Sequence, residues 1–127
     1  MESMSISIRH ILKESPGYKV RGTLWIEFDN ERFFGPGRVE LLENIERTGS
    51  ISKAAKNMGM SYKKAWEMIS ALNKQAAMPL VLVRTGGEKG GGSVLTDEAR
   101  ELIKYHSFLR ERFAEFLEKE TVNLKQE

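Results

Sequence analysis

Cysteine is absent from this chain of 127 residues, and histidine occurs only twice. A chain without cysteine forms neither a disulfide framework nor a thiolate metal site, and this composition fits a reducing compartment, so we expect a cytoplasmic protein. The two histidines, His10 and His106, stand in no group of histidines and carboxylates with metal-ligand spacing. We therefore expect neither a metal site nor a cofactor.

Long apolar runs are missing as well, and none approaches the length that spans a membrane. The N-terminal stretch MESMSISIRHILKES has no basic region followed by a long apolar one, which argues against export. No nucleophile paired with a base and no pair of carboxylates in a recognisable loop is present, so an enzyme is not expected. The composition, 40% hydrophobic and 30% charged, is ordinary for a soluble domain without a membrane partner.

Net charge is small, at +2, but it is unevenly distributed. Between Lys53 and Lys89 there are seven basic residues and two acidic ones, which gives this segment +5 and leaves −3 for the rest of the chain. A local excess of positive charge is typical of a surface that binds nucleic acid.

The stretch from residue 50 to residue 74, SISKAAKNMGMSYKKAWEMISALNK, has capping and turn residues spaced as in a helix-turn-helix. Ser52 is predicted to cap the first helix, since a β-hydroxyl can accept a hydrogen bond from a free N–H of the first turn. Gly59 is predicted to end that helix in the left-handed conformation, and Ser61 to cap the next one.

The second helix is predicted over Tyr62 to Gln75, with a buried stripe of Ala65, Ile69 and Leu72. Lys63 and Lys64 fall in its first turn, where the helix dipole makes a cation unfavourable by about 0.3–1 kcal/mol. A polyanion bound at this helix end would reverse the sign of that cost, and DNA phosphate is such a polyanion.

One flank of this second helix carries Tyr62, Lys63, Trp66 and Ser70. Cations, hydroxyls and aromatic rings on one flank suit the reading of bases in a major groove. In the alternative interpretation, Tyr62 and Trp66 extend the core and the lysines form a solvated face.

Upstream of the helix pair, residues 1–17 are expected to form a tail or arm. An alternating pattern predicts a strand from Val20 to Phe28, a turn at Asp29 and Asn30, and a short return strand through Phe34. A first helix is predicted over Arg38 to Arg47, with Gly49 at its C-terminal end. The apolar positions of the strand are Val20, Leu24, Ile26 and Phe28, and those of the helix are Val39, Leu42 and Ile45.

Downstream of Pro79, the segments LVLVRT, GGEKGGG and SVLT predict two strands joined by a glycine-rich tip with Lys89 near its apex. This is the pattern of the wing in a winged helix-turn-helix. A phosphate cradle is the other use of such a loop, but the GxxxxGK[ST] spacing is absent and a strand follows instead of a helix.

The last helix is predicted to begin after a Thr96 cap, with Asp97 and Glu98 suitably charged for its first turn. Its apolar positions advance by alternating steps of three and four, which is typical of a coiled-coil seam and predicts a dimer. Packing on its own domain is the alternative, because Ile103 and Leu117 widen the stripe. The seam consists of Ala99, Leu102, His106, Leu109, Phe113 and Phe116, and His106 is interpreted as a packed or rim residue.

The segment GPGRVELLENIERTGSISKAAKNMGMSYKKAWEMISALN, followed by LV, a GG.KGGG loop and VLT, resembles the N-terminal DNA-binding domain of the ModE family of molybdate-responsive regulators. That domain is itself similar to the LysR-type winged helix-turn-helix. The resemblance covers residues 20 to 109, and the pairing of GSIS..A....MSYK.AW with a KGGG wing is its specific part.

This resemblance implies that the last helix pairs two subunits, that Ser50 to Lys53 approach phosphate and that the loop around Lys89 is the wing. It also places Tyr62, Lys63 and Trp66 on the recognition helix. The sequence departs from the family after the last helix, where full-length ModE regulators carry molybdate-binding domains, so we expect no molybdate binding by this chain. The expected DNA-binding residues are Ser50, Ser52, Lys53, Ser61, Tyr62, Lys63, Lys64, Trp66, Ser70 and Lys89.

The predicted fold class is α+β: a winged helix-turn-helix with a short N-terminal β-hairpin and a long C-terminal dimerisation helix. Three segments are expected, namely a tail or arm (1–17), the winged domain (18–96) and the dimerisation helix with its tail (97–127). The predicted function is that of a dimeric transcriptional regulator that binds double-stranded DNA. The alternative is a winged-helix module for protein partners without specific DNA binding.

Overall fold

The computed structural model describes residues 7–84 and 92–126. These residues form two compact units, one of residues 24–107 and one of residues 7–23 with 108–126. The elements in chain order are α1 (Ile8–Ile11), β1 (Ile26–Phe28), β2 (Glu31–Phe34), α2 (Pro36–Thr48), α3 (Ile51–Asn57), α4 (Tyr62–Gln75), β3 (Val81–Arg84), β4 (Gly92–Leu95) and α5 (Asp97–Gln126). This arrangement is the predicted α+β winged helix-turn-helix.

Helices α3 and α4 and the turn between them form the predicted helix pair. Gly59 has φ of +65° in the turn, as expected of a glycine that ends a helix in the left-handed region. Helix α4 runs over the predicted residues, and Ala65, Ile69 and Leu72 are at most 1% exposed. The helical period therefore identified the buried side of α4 correctly.

The predicted cap of α3 is wrong. The side chain of Ser50, not Ser52, accepts the hydrogen bond of the Lys53 amide, at 3.1 Å, and the helix begins at Ile51. Ile51 is buried in the core as part of the first turn of α3. The cap therefore lies two residues before the predicted Ser52.

Helix α2 is longer at both ends than the predicted Arg38 to Arg47. Pro36 occupies its first turn. An N–H at this position would have no acceptor within the helix, so proline loses no hydrogen bond there, and its fixed φ suits a helix. Gly49 follows its C-terminus with φ of +69°, as predicted. The predicted positions Val39, Leu42 and Ile45 are buried, and they are joined in the core by Leu41, Phe34, Ile69 and Leu72.

The N-terminal hairpin is shorter than predicted, since β1 covers only Ile26–Phe28. The turn at Asp29 and Asn30 is confirmed, and both residues have positive φ. Strand β2 offers only four residues for pairing, and a shift in register between Ile26 and Glu27 interrupts the alternation. The predicted inward residue Phe28 is consequently 49% exposed.

Arg38 ties this hairpin to the helices. Its guanidinium donates to the carbonyl oxygen of Phe33 at 2.6 Å and to Oε1 of Gln75 at 2.8 Å. Burial lowers the pKa of Arg38, and the nearby carboxylate of Glu31 opposes that shift. One side chain thus connects β2, α2 and α4.

The two wing strands pair antiparallel in register, with Val81 opposite Leu95 and Arg84 opposite Gly92. Asn73 of α4 holds the first of them. Its Oδ1 accepts from the amides of Leu80 (2.8 Å) and Val81 (3.2 Å), and its Nδ2 donates to the carbonyl of Val81 (3.1 Å). The predicted apex residue Lys89 lies outside the described residues.

In the unit of residues 7–23 and 108–126, the predicted tail contains a single helical turn, α1. The Val20 amide donates to Oγ1 of Thr121 at 2.8 Å, so this residue is not in the predicted strand. Gly22 lies close to Phe113, since a Cβ added at Gly22 would be 2.9 Å from Cζ of Phe113. These contacts place Val20 and Gly22 against the later part of α5.

Candidate nucleic-acid interface

The N-terminus of α4 presents the predicted basic residues to solvent. Ser61 caps the helix as predicted, because its Oγ accepts from the Lys64 amide at 3.0 Å. Tyr62, Lys63, Lys64 and Ser70 are all exposed, and no acidic residue stands in the first turn. The lysines therefore face the positive end of the helix dipole without a compensating carboxylate in that turn.

Tyr62 and Trp66, one helical turn apart on α4, form a pair. Trp66 Nε1 donates a hydrogen bond to the Tyr62 hydroxyl, and the two rings meet edge to face with their centres 6.3 Å apart. Tyr62 is 51% exposed, whereas Trp66 is half-buried and packs against the core. The structure thus combines the two interpretations of the sequence, with Trp66 partly core and Tyr62 at the surface.

A recess of about 180 Å³ lies beside this pair, where the start of α3, the start of α4 and the two wing strands meet. Ser50, Ser52 and Tyr62 of the predicted set line it. Arg84 and Ser93 line it too, although neither was among the predicted site residues. Lys53 is exposed next to Ser52, while Ser70 lies two turns along α4 from Tyr62 and takes no part in the recess.

A backbone hydrogen bond joins wing strand β4 to the chain just before α3, beside the recess. The Ser93 amide donates to the carbonyl oxygen of Gly49, at 2.9 Å, and so joins β4 to the turn before α3. Ser93 itself is only 5% exposed. Sequence reasoning missed Ser93 because its contact with Gly49 spans more than forty residues. For Arg84, the one signal in the sequence was its place in the basic segment.

The predicted dimer residues fall into two groups. In the larger unit, His106 is 1% exposed and meets Phe34 edge-on with ring centres 5.4 Å apart, so its assignment to a dimer interface is wrong. Leu102 also packs against the core of its own unit. In the other unit, Leu109 and Phe113 are half-buried and Phe116 is 54% exposed.

Within the described residues, no group of three histidine, cysteine or acidic side chains could hold a metal ion. Among the helices described, none is both long enough and apolar enough to cross a membrane.

The family model of the bacterial regulatory helix-turn-helix proteins of the lysR family matches residues 37–100. The chain belongs to that family. The match begins in α2 and ends in the first turn of α5, so it includes the whole helix pair and both wing strands of this lysR-family chain.

Individual relatives of this lysR-family protein are also similar in sequence. The transcriptional regulator ModE of Haemophilus influenzae is 43% identical over 86 residues, which are 68% of this chain and 34% of the relative. The molybdenum-pterin-binding protein MopB of Rhodobacter capsulatus is 45% identical over 65% of this chain and 31% of its own length. The DNA-binding transcriptional dual regulator ModE of Escherichia coli K12 is 41% identical over 68% of this chain. The chain thus spans about a third of the length of the curated relatives it matches.

Proposed function

We propose that this chain is a transcriptional regulator that binds duplex DNA in a sequence-specific manner. The observation that carries the proposal is the exposed N-terminal face of α4. Tyr62, Lys63 and Lys64 are exposed there, beside a recess that the guanidinium-bearing residue Arg84 lines. A helix with this face enters a major groove, while the wing strands beside it approach the adjacent phosphates.

The relatives support the same activity and nothing more specific. Two of the proteins described above are named as transcriptional regulators, and one of those names includes DNA binding. Because the chain covers only about a third of each, the proposal takes from them DNA binding alone. Molybdate is not part of it, in keeping with the expectation from the sequence.

The test is binding to a duplex of random sequence, measured by fluorescence anisotropy from about 50 mM to about 200 mM salt. Each neutralised phosphate releases condensed counterions, so the logarithm of the association constant should fall steeply and linearly with the logarithm of the salt concentration. Absence of binding at the lowest salt would contradict the proposal and favour a module for protein partners.

We further propose that the later part of α5 pairs two copies of the chain. Phe108, Arg112 and Phe116 are spaced four residues apart, so they lie along one side of the helix. Phe108 is 53% and Phe116 is 54% exposed, and the guanidinium of Arg112 lies 4.4 Å from the centre of the Phe108 ring. A partner would cover this side, which shares only Phe116 with the predicted seam and has Leu109 at its border, because Phe113 of the seam packs on Gly22.

A further inference from the structure

The hydrogen bond between Trp66 and Tyr62 determines which atoms of the pair remain available to a ligand. An indole N–H has a single proton and no lone pair to offer, so its one hydrogen bond is already made when it donates to the Tyr62 oxygen. In this arrangement Trp66 therefore has no polar group left with which to contact DNA.

The Tyr62 hydroxyl, in contrast, can still donate a hydrogen bond to a ligand. A phenol can accept and donate at the same oxygen, and here the acceptor position is occupied by the Trp66 N–H. The hydroxyl proton must turn away from that N–H, because two hydrogens cannot lie between the same two heavy atoms. The Tyr62 hydroxyl is thereby held as a hydrogen-bond donor directed at its surroundings.

Those surroundings favour an acceptor that carries negative charge. Tyr62 lies on the wall of the recess with Ser52 and Arg84, and among the described residues that line the recess none carries a carboxylate. Lys63 follows directly on α4 and is exposed. A hydroxyl donor, a guanidinium and an ammonium group together suit an oxygen acceptor on a polyanion.

We infer that Trp66 is a positioning residue for Tyr62, and that the Tyr62 hydroxyl donates a hydrogen bond to an oxygen or nitrogen acceptor of the bound DNA. The inference rests on the proposed DNA binding and gives it a defined contact. Trp66 acts on DNA only through Tyr62, although it stands on the same flank of the recognition helix.

A double-mutant cycle tests this relation. The variants are Tyr62→Phe, which removes only the hydroxyl, Trp66→Phe, which keeps an apolar ring and removes the N–H, and the double variant. The probe is a duplex selected by the wild-type chain from a random-sequence library. Since a hydrogen bond to a charged or polar partner in an interface is worth about tenfold in affinity, Tyr62→Phe should weaken binding by about that factor. Trp66→Phe should weaken it by a smaller factor, and in the Tyr62→Phe background it should cost almost nothing.

Thermal unfolding of each variant separates positioning from general support of the helix. If Trp66 only supported the fold, Trp66→Phe would weaken DNA binding equally in both backgrounds and would lower the melting temperature in proportion. Equal losses in the two backgrounds would overturn the inference, as would unchanged affinity of Tyr62→Phe. Wild-type chain that selects no duplex and binds none at low salt would instead overturn the proposed function itself.

The same variants identify the acceptor. If the Tyr62 hydroxyl donates to a phosphate oxygen, the loss in Tyr62→Phe should be alike on the selected duplex and on duplexes of random sequence. If it donates to a base acceptor such as N7 or O6 of guanine, the loss should be confined to the selected duplex. Either pattern, together with the coupling to Trp66, supports the inference.

Discussion

Lys63 stands in the first turn of α4 with an exposed side chain and no carboxylate beside it in that turn. This placement costs the free protein stability, because the helix dipole is positive at that end. The cost is removed once a phosphate or a guanine edge approaches the ammonium group, so the residue is suited to the bound state better than to the free one.

Replacement of Lys63 by alanine should show which of these two partners it has. If Lys63 reads a base, the variant should lose about 1–3 kcal/mol on a selected duplex and relax its preference at one base pair. If it contacts phosphate alone, the loss should be similar on all duplexes and the salt slope should fall by about one. Lys104→Ala, a change of the same charge at an exposed position of α5, is the control and should leave both quantities unchanged.

Two glycines with open space around them should respond to alanine with opposite signs. A Cβ at Gly59 or at Gly37 would meet no atom within 4 Å, but Gly59 has φ of +65° whereas Gly37 lies inside α2. Gly59→Ala should therefore lower the free energy of unfolding by about 1–2 kcal/mol through backbone strain. Gly37→Ala should raise it by up to about 1 kcal/mol, because it removes backbone freedom from the unfolded chain. Urea unfolding curves of the two variants measure both effects, and a loss of stability in Gly37→Ala would contradict this account.

At the residue scale, the sequence predicted those roles that depend on near neighbours. The Ser61 cap and the left-handed Gly59 follow from three or four adjacent residues, and both are confirmed. Arg84 was overlooked as a site residue. His106 was interpreted as a packed or rim residue but was also placed in the dimer seam. Both the recess and the Phe34 contact bring together residues far apart in the chain.

At the scale of elements, α4 was predicted to both of its ends and β1 was not. The helix closes its own hydrogen bonds, so capping residues and a period of 3.6 suffice to locate it. A strand needs a partner, and the alternation from Val20 to Phe28 contains no information about how many residues β2 can supply. The wing strands were easier to predict, because a glycine-rich segment separates them and each strand can pair with the other.

The start of α3 allows a matched comparison of two serines two residues apart. Ser50 caps the helix through its bond to the Lys53 amide, whereas the side chain of Ser52 is exposed in the first turn. Ser50→Ala should lower the free energy of unfolding by about 0.5–2 kcal/mol, as for other helix caps. Ser52→Ala should change it by less than about 0.5 kcal/mol. Chemical denaturation gives both values, and the reverse order would restore Ser52 as the cap.

For the molecule as a whole, the net charge of +2 conceals the local charge on which the proposed function depends. The segment from Lys53 to Lys89 carries +5, and its described residues include both the N-terminal face of α4 and Arg84. Association with a polyanion depends on this local field more than on the total charge. The division into a tail, a winged domain and a dimerisation helix stays a prediction.

The assembly of two chains is testable on α5 with a pair of substitutions that introduce the same charge. Phe116→Glu should convert a dimer to a monomer at micromolar concentration, because it places a carboxylate where burying an apolar ring is worth about 1.5–3 kcal/mol. Ala114→Glu, at an exposed position on a different side of the same helix, should leave the dimer intact. Sedimentation velocity distinguishes the outcomes, and wild-type chain that sediments as a monomer would contradict the proposed pairing.

The hydrogen bond from the Ser93 amide to the Gly49 carbonyl has a consequence for how wing motion can be observed. An amide proton exchanges with solvent deuterium only when its hydrogen bond opens, so the exchange rate of this one proton reports the free energy of the opening that separates β4 from the turn before α3. A single resonance in an exchange-resolved NMR spectrum would therefore report the stability of this one contact, in the free chain and again with DNA bound.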